Sequence, residues 1–193
     1  MQPIYSVAVF CGSFSGSEPV FRQAAVSLGR GLAKAGLALV FGGGSIGLMG
    51  AMADAALDAG GKVTGVIPEF LSRREIAHPG LTDIVVTSSM HSRKQRMFEL
   101  SDAFVSMPGG LGTLDETIEI ITWRQLRLHD KPVLLCDVAG SAGPLLAAIE
   151  AAISRGFAQP GVRGLFEVLP GVEATLARLA GVEAGAGGDP DRL

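Results

Sequence analysis

The chain has 193 residues, 48% hydrophobic and 18% charged, enough apolar material to close a substantial core and too much for a disordered polypeptide. Lys and Arg number 16 against 19 Asp and Glu, a net charge of −3, which offers no electrostatic reason to expect nucleic acid or an anionic membrane surface as a partner, so small molecules are expected instead. The apolar stretches at 4–14 and 144–153 are too short or too interrupted to span a bilayer, and no basic segment precedes an apolar one at the N-terminus, so a cytoplasmic protein without a targeting signal is expected.

Short β-branched runs alternate with segments of helical period. Strands are predicted at 5–11, 37–41, 62–67, 83–87, 103–107, 132–137 and 166–169, and helices at 19–35, 48–59, 90–101, 113–128, 144–154 and 172–179. Pro19, after Ser17 and Glu18, suits a helix start, and Gly36 a stop. This alternation predicts an α/β fold with a mostly parallel sheet of about seven strands flanked by helices, in a single domain over 1–180. Residues 181–193, with Gly181, Gly185, Gly187 and Gly188 and no apolar pattern, are predicted to form a flexible tail.

Glycine, at 27 residues, is the anomaly of the composition. Gly12 and Gly16 follow the first predicted strand, Gly42, Gly43, Gly44, Gly47 and Gly50 the second, and Gly109, Gly110 and Gly112 the fifth. In an open α/β sheet these are carboxyl-end turns sharing the edge where ligands bind. Residues 41–50 place three glycines after a strand and Gly47 at a helix start, which suits a phosphate or ribose, although a tight structural turn explains part of the cluster. The spacing does not match G-x-G-x-x-G, and no Gly-Lys-Ser/Thr of a P-loop is present.

The turn at 108–116 offers two readings. Thr113 and Glu116 have the spacing of a capping box, in which Glu116 only satisfies a backbone N–H. Yet Asp115, Glu116 and Glu119 put three carboxylates in the first turns of one helix, where one suffices for a cap, so a general base or a stabiliser of a cationic transition state is the competing role. The basic run at 90–97 contains Arg93, Lys94 and Arg96, with Lys94 directed away from Arg93; composition alone favours a solvated helix face. The irregular segment 68–81, with Arg73, Arg74 and Glu75, has the character of a lid.

Several chemistries lack support. His78, His91 and His129 have no metal-ligand spacing, Ser13 and Ser45 lack the context of a nucleophile elbow, and Cys11 and Cys136 suit buried hydrophobes better than a disulfide or metal site. No metal or cofactor is expected. Trp123, Met90 and Met97 are expected in the core or a subunit interface unless they line an apolar pocket. Ile118, Ile120, Ile121 and Trp123 cannot all face one sheet, which leaves part of their helix for a subunit interface.

In combination and in order, G-G-G-S-I-G-L-M-G at 42–50, M-H-S-R-K at 90–94 and P-G-G-x-G-T-x-x-E at 108–116 resemble the Lonely Guy (LOG) family of cytokinin-activating phosphoribohydrolases, which also carries an older label as lysine decarboxylases. The resemblance runs from about Tyr5 to Leu169 and takes in Arg74-Glu75 and 129–132. It implies a homodimeric, Rossmann-like, doubly wound protein that hydrolyses the N-glycosidic bond of AMP or its prenylated derivatives without a cofactor. It further implies that Gly109, Gly110, Leu111, Gly112 and Thr113 hold the phosphate and that Arg93 and Glu116 form the catalytic pair. Glu75, Lys94 and Thr122 would help to line the nucleotide pocket, with Gly43, Gly44, Met90, Leu114 and Asp115 also placed at the substrate; Asp115 stands where many relatives are expected to carry Glu.

Elementary chemistry agrees. Cleaving a ribosyl–nitrogen bond develops oxocarbenium character, which a neighbouring carboxylate stabilises, and the departing base gains from a positive neighbour. Two alternatives stand beside this reading: a carrier or sensor that binds the nucleotide without catalysis, and a pyridoxal-dependent decarboxylase, for which Lys34, Lys62, Lys94 and Lys131 are poor Schiff-base candidates.

Overall fold

The computed structural model describes residues 2–72, 77–181 and 183–184. In chain order the elements are β1 (Gln2–Pro3), β2 (Ser6–Phe10), α1 (Pro19–Lys34), β3 (Ala38–Phe41), α2 (Gly47–Asp58), β4 (Val63–Pro68), α3 (Glu69–Ser72), β5 (Asp83–Thr87), α4 (Met90–Glu99), β6 (Ala103–Ser106), α5 (Leu111–Gln125), β7 (Val133–Cys136), α6 (Gly143–Ser154), a 3-10 turn (Pro160–Leu165), β8 (Glu167–Leu169), α7 (Val172–Ala180) and β9 (Glu183–Ala184). The seven strands predicted from sequence form one sheet of order β5-β4-β3-β2-β6-β7-β8, all neighbours parallel, a Rossmann-like α/β architecture. A separate antiparallel pair joins β1 to β9, so Glu183 and Ala184 of the expected tail meet the N-terminal strand; Val182 and 185–193 lie outside the described residues.

Strand alternation assigns the two layers. Val7, Val9 and Cys11 of the central strand and its end face α1, α2 and α7, together with Leu39, Phe41 and Val105. Ala8 and Phe10 face the other way, against Met97 and Phe98 of α4, Ile120, Ile121 and Trp123 of α5 and Leu145 of α6. The chain runs outward from β2 to β5, then returns through α4 to β6 on the other side of β2. That return sets α4 beside α5 in one layer, at the switch point where strand order reverses and open sheets form ligand crevices.

The second layer holds an aromatic cluster around two buried bases. Phe98 meets the Trp123 ring edge-on at 5.3 Å and stacks on Phe104 at 5.8 Å. Lys131 Nζ donates to the Phe98 carbonyl at 2.9 Å and sits 3.9 Å over the Phe98 ring. His129 Nε2 lies 3.0 Å from the Ile120 carbonyl, which fixes it as the donor, while buried Nδ1 has no partner among the described residues. Burial, more than the nearby Lys131 charge, lowers the His129 pKa to about 4.

The linkage has a definite sign. The unfolded chain takes a proton on His129 near the ordinary 6.5 and the folded chain only near 4, so the unfolded state binds more protons between these values and stability falls as pH drops through that window. Denaturant titrations between pH 7 and 4 should show a loss of about 3 kcal/mol from this group, and His129→Phe should flatten that part of the slope.

Candidate active site

A cavity of about 650 Å³ opens at the carboxyl ends of β2, β3 and β6, lined by the turns after these strands and by the start of α4 and α5. The turns are tied together by backbone. Gly12 N–H donates to the Pro108 carbonyl at 3.0 Å, and the Gly12 carbonyl accepts from Leu48 N–H at 3.0 Å and Met49 N–H at 3.4 Å. Gly47, with φ +64°, brings the start of α2 so close to the Ser13–Phe14 backbone that a side chain would collide with it.

These contacts correct one sequence reading. The first donors of α2, expected to cradle a phosphate, are occupied by the Gly12 carbonyl, and Gly42 lines the cavity whereas Gly43 and Gly44 do not. Gly43 instead accepts from His78 N–H at 3.0 Å, and Gly44 bridges to Ala77. His78 Nε2 contacts Asp54 Oδ1 at 2.9 Å and its Nδ1 accepts from Gly80 N–H at 3.2 Å, so the far end of the expected lid is anchored on α2. Arg73, Arg74 and Glu75 lie outside the described residues.

The turn after β6 is different. α5 begins at Leu111 with Gly110 as its N-cap and no side-chain cap, and Leu111 and Gly112 are exposed. The capping box expected between Thr113 and Glu116 therefore does not form: the helix starts two residues earlier than predicted, which places both side chains inside it. Thr113 is buried, its carbonyl accepts from the Thr117 hydroxyl at 2.6 Å, and that hydroxyl lies 2.7 Å from Ser106 Oγ. Gly109, Gly110, Leu111, Gly112 and Thr113 all line the cavity, and the helix end, uncapped by any side chain among the described residues, turns its first N–H donors and a positive dipole toward it.

Two consecutive cations of α4 sort the carboxylates of α5. Lys94 Nζ pairs with Asp115 Oδ2 at 3.1 Å and Glu119 Oε2 at 2.9 Å, carboxylates one turn apart on the helix. Burial works against the Lys94 charge, but hydrogen bonds to Glu119 and Asp115 outweigh it and raise the pKa. Arg93 Nη2 approaches Glu116 Oε1 at 3.5 Å, the two side chains only 11% and 9% exposed. Burial raises the Glu116 pKa, with Arg93 opposing and Asp115 adding to the rise. The solvated-face reading thus fails for Arg93 and Lys94 and holds for Arg96, which pairs with Glu99 at 2.9 Å.

Local sequence explains the placement of Arg93. A reciprocal box that composition did not disclose, Ser89 with Ser92, caps α4 at 3.1 and 3.0 Å. Arg93 then passes Gly42, where any Cβ would collide with Nη2. Its Nε has no partner among the described residues. Met90 lies at 3.7 Å from Arg93 Nη1 and lines the cavity, whereas Met97 and Trp123 belong to the core.

Of the remaining expected site residues, Lys94, Leu114, Asp115 and Thr122 lie outside the cavity lining, and exposed Thr122 donates to the Ile118 carbonyl at 2.8 Å. Cys11, Ser13, Phe14, Met49 and Ser141 line it without having been singled out as ligand-binding residues. Their signal was positional, since they lie on the strand-end turns or the helix those turns open. Burial pushes the Cys11 thiol pKa up, with the Glu116 charge adding to it.

The parallel sheet and the cavity at its switch point define a Rossmann-like ligand-binding protein. The model of the family described as "Possible lysine decarboxylase" matches residues 49–179. A cytokinin riboside 5′-monophosphate phosphoribohydrolase from Rhodococcoides fascians is 46% identical over 175 residues, covering 90% of this chain and 88% of its own. One from Arabidopsis thaliana is 42% identical over 173 residues, covering 90% and 81%. The chain belongs to this family, the LOG family its motifs resemble. Among solved structures, a molybdenum cofactor carrier protein from Chlamydomonas reinhardtii superposes with a TM-score of 0.69 at 22% identity over 94% of this chain and all of its own, a likeness of fold.

Because Gly42 is not in the left-handed backbone region and the three atoms nearest an added Cβ are side-chain atoms of Arg93 and Met49, Gly42→Ala should cost less than about 1 kcal/mol of stability while displacing Arg93. The expected outcome is a near-normal thermal melt with a loss of turnover.

Proposed function

We propose that the protein hydrolyses the N-glycosidic bond of AMP or N6-prenylated adenosine 5′-monophosphates, releasing the free base and ribose 5-phosphate. The observation that carries this reading is Glu116, a carboxylate buried in the cavity wall against Arg93, one turn along the helix from an uncapped glycine-rich N-terminus. The phosphate accepts from the backbone N–H groups of 110–113, which orients the ribose over Glu116. As the bond breaks, its electron pair passes to the ring nitrogen of the base and positive charge develops at the anomeric carbon, where the Glu116 carboxylate stabilises it. Water adds to that carbon, and the proton it loses ends on the departing ring nitrogen, so that one water is consumed for each base released. The Arg93 guanidinium holds Glu116 in place and offers a cationic neighbour to the departing base or the phosphate. The family relatives named as cytokinin riboside 5′-monophosphate phosphoribohydrolases support the substrate class.

The other readings fit the site less well. A nucleotide carrier does not require a buried carboxylate beside an anion site, where burial and like charge both weaken binding. For a Schiff base, Lys94 is held by two carboxylates, Lys131 lies in the aromatic core, Lys34 and Lys62 are exposed, and no lysine is among the cavity-lining residues.

Leu114 and Ile118 of α5 and its C-cap Leu126 are exposed apolar residues at four- and eight-residue spacing, and Thr122 lies between them. These residues form the proposed homodimer face, and the protein is proposed to act in the cytoplasm.

The test is a side-by-side assay of AMP, prenylated AMP and the corresponding nucleosides with free base quantified. Base release from the monophosphates and not from the nucleosides is expected; equal activity on nucleosides overturns the role given to the phosphate. Because Glu116 acts as a carboxylate and its pKa is raised from 4.5, kcat/KM should rise with pH along an acid limb centred above 4.5.

A further inference from the structure

Phe14 is 83% exposed yet lines the cavity. Phe21, which shares that wall, packs onto the core and abuts Gly16. The backbone beneath Phe14 is clamped: Gly12 is hydrogen-bonded to Pro108 on one side and to Leu48 and Met49 on the other, and Gly47 presses on the Ser13–Phe14 peptide. A turn held in this way keeps its aromatic ring at the cavity mouth, in water, where it lacks the burial that a core position supplies.

We propose that Phe14 is the stacking platform for the purine of the substrate and so determines selectivity for a nucleotide over a bare sugar phosphate. The proposal rests on the reading above. With the phosphate at the start of α5 and the anomeric carbon at Glu116, the apolar wall that remains for the base includes Phe14, Met49 and Met90. A flat, polarisable heterocycle gains from a ring face and from flanking thioethers, whereas ribose 5-phosphate has nothing to place there.

Phe14→Ala should raise KM for AMP about tenfold with kcat within about twofold, the signature of a lost ground-state contact. Inhibition by ribose 5-phosphate should stay within about twofold, Phe14→Tyr should retain the wild-type KM, and Phe14→Leu, apolar but not aromatic, should behave like Phe14→Ala. An unchanged KM in Phe14→Ala, a Phe14→Leu variant equal to wild type, or a matching loss of ribose 5-phosphate affinity would overturn it. Dissociation constants for AMP measured by calorimetry separate the two claims. If the wild type binds AMP without releasing adenine, the hydrolysis reading fails and the Phe14→Ala loss still decides the stacking role. A protein that binds no AMP overturns both.

Discussion

The site depends on how α4 and α5 divide their charges. Arg93 and Lys94 are adjacent in sequence, so on a helix they point about 100° apart and cannot serve one carboxylate. Lys94 takes Asp115 and Glu119, and Arg93 is left with Glu116. Without this division, three acidic side chains within two turns would repel one another, and the buried one would be the most costly to keep charged. The contact at 3.5 Å is long for an ion pair and does not cancel the burial of Glu116, whose pKa remains raised. On the proposed mechanism, the compensating positive charge arises at the ribose as the bond to the base breaks.

Topology makes this division possible. β6 returns to the side of β2 opposite β3, and α4 crosses back with it to lie next to α5. The same reversal gathers the turns after β2, β3 and β6 at one opening. Their roles then separate by hydrogen bonding. The turn after β3 makes room for Arg93 at Gly42 and opens a helix whose first N–H groups are taken by the Gly12 carbonyl, while the turn after β6 leaves its helix end uncapped. A glycine-rich turn is thus structural or ligand-binding according to whether its N–H groups already have partners.

Much of this was legible in the sequence. The strands read clearly because a two-sided parallel sheet requires continuous apolar runs, and they form the sheet in the expected number. Glu116 and Arg93 were singled out by motif, and the structure brings them together. The start of α5 was misread because T-x-x-E spacing is the same whether it spans a helix boundary or lies inside the helix; the choice was made by Gly110, free to serve as N-cap. Likewise, nothing local distinguishes the occupied donors of α2 from the open ones of α5, because the occupying group, the Gly12 carbonyl, is distant in sequence. Phe14 carries no signal in the sequence for a similar reason: whether an aromatic residue in a short turn is buried or exposed depends on neighbours distant in the chain.

The division of carboxylates is tested most directly by the rate of adenine release from AMP in Glu116→Gln beside Asp115→Asn and Glu119→Gln, each with folding checked by thermal melting. The expected result is a loss of about a thousandfold or more for Glu116→Gln and of less than about tenfold for the other two. Near-normal base release by a folded Glu116→Gln, or equal losses in all three, would contradict the assignment of Glu116 as the reacting carboxylate.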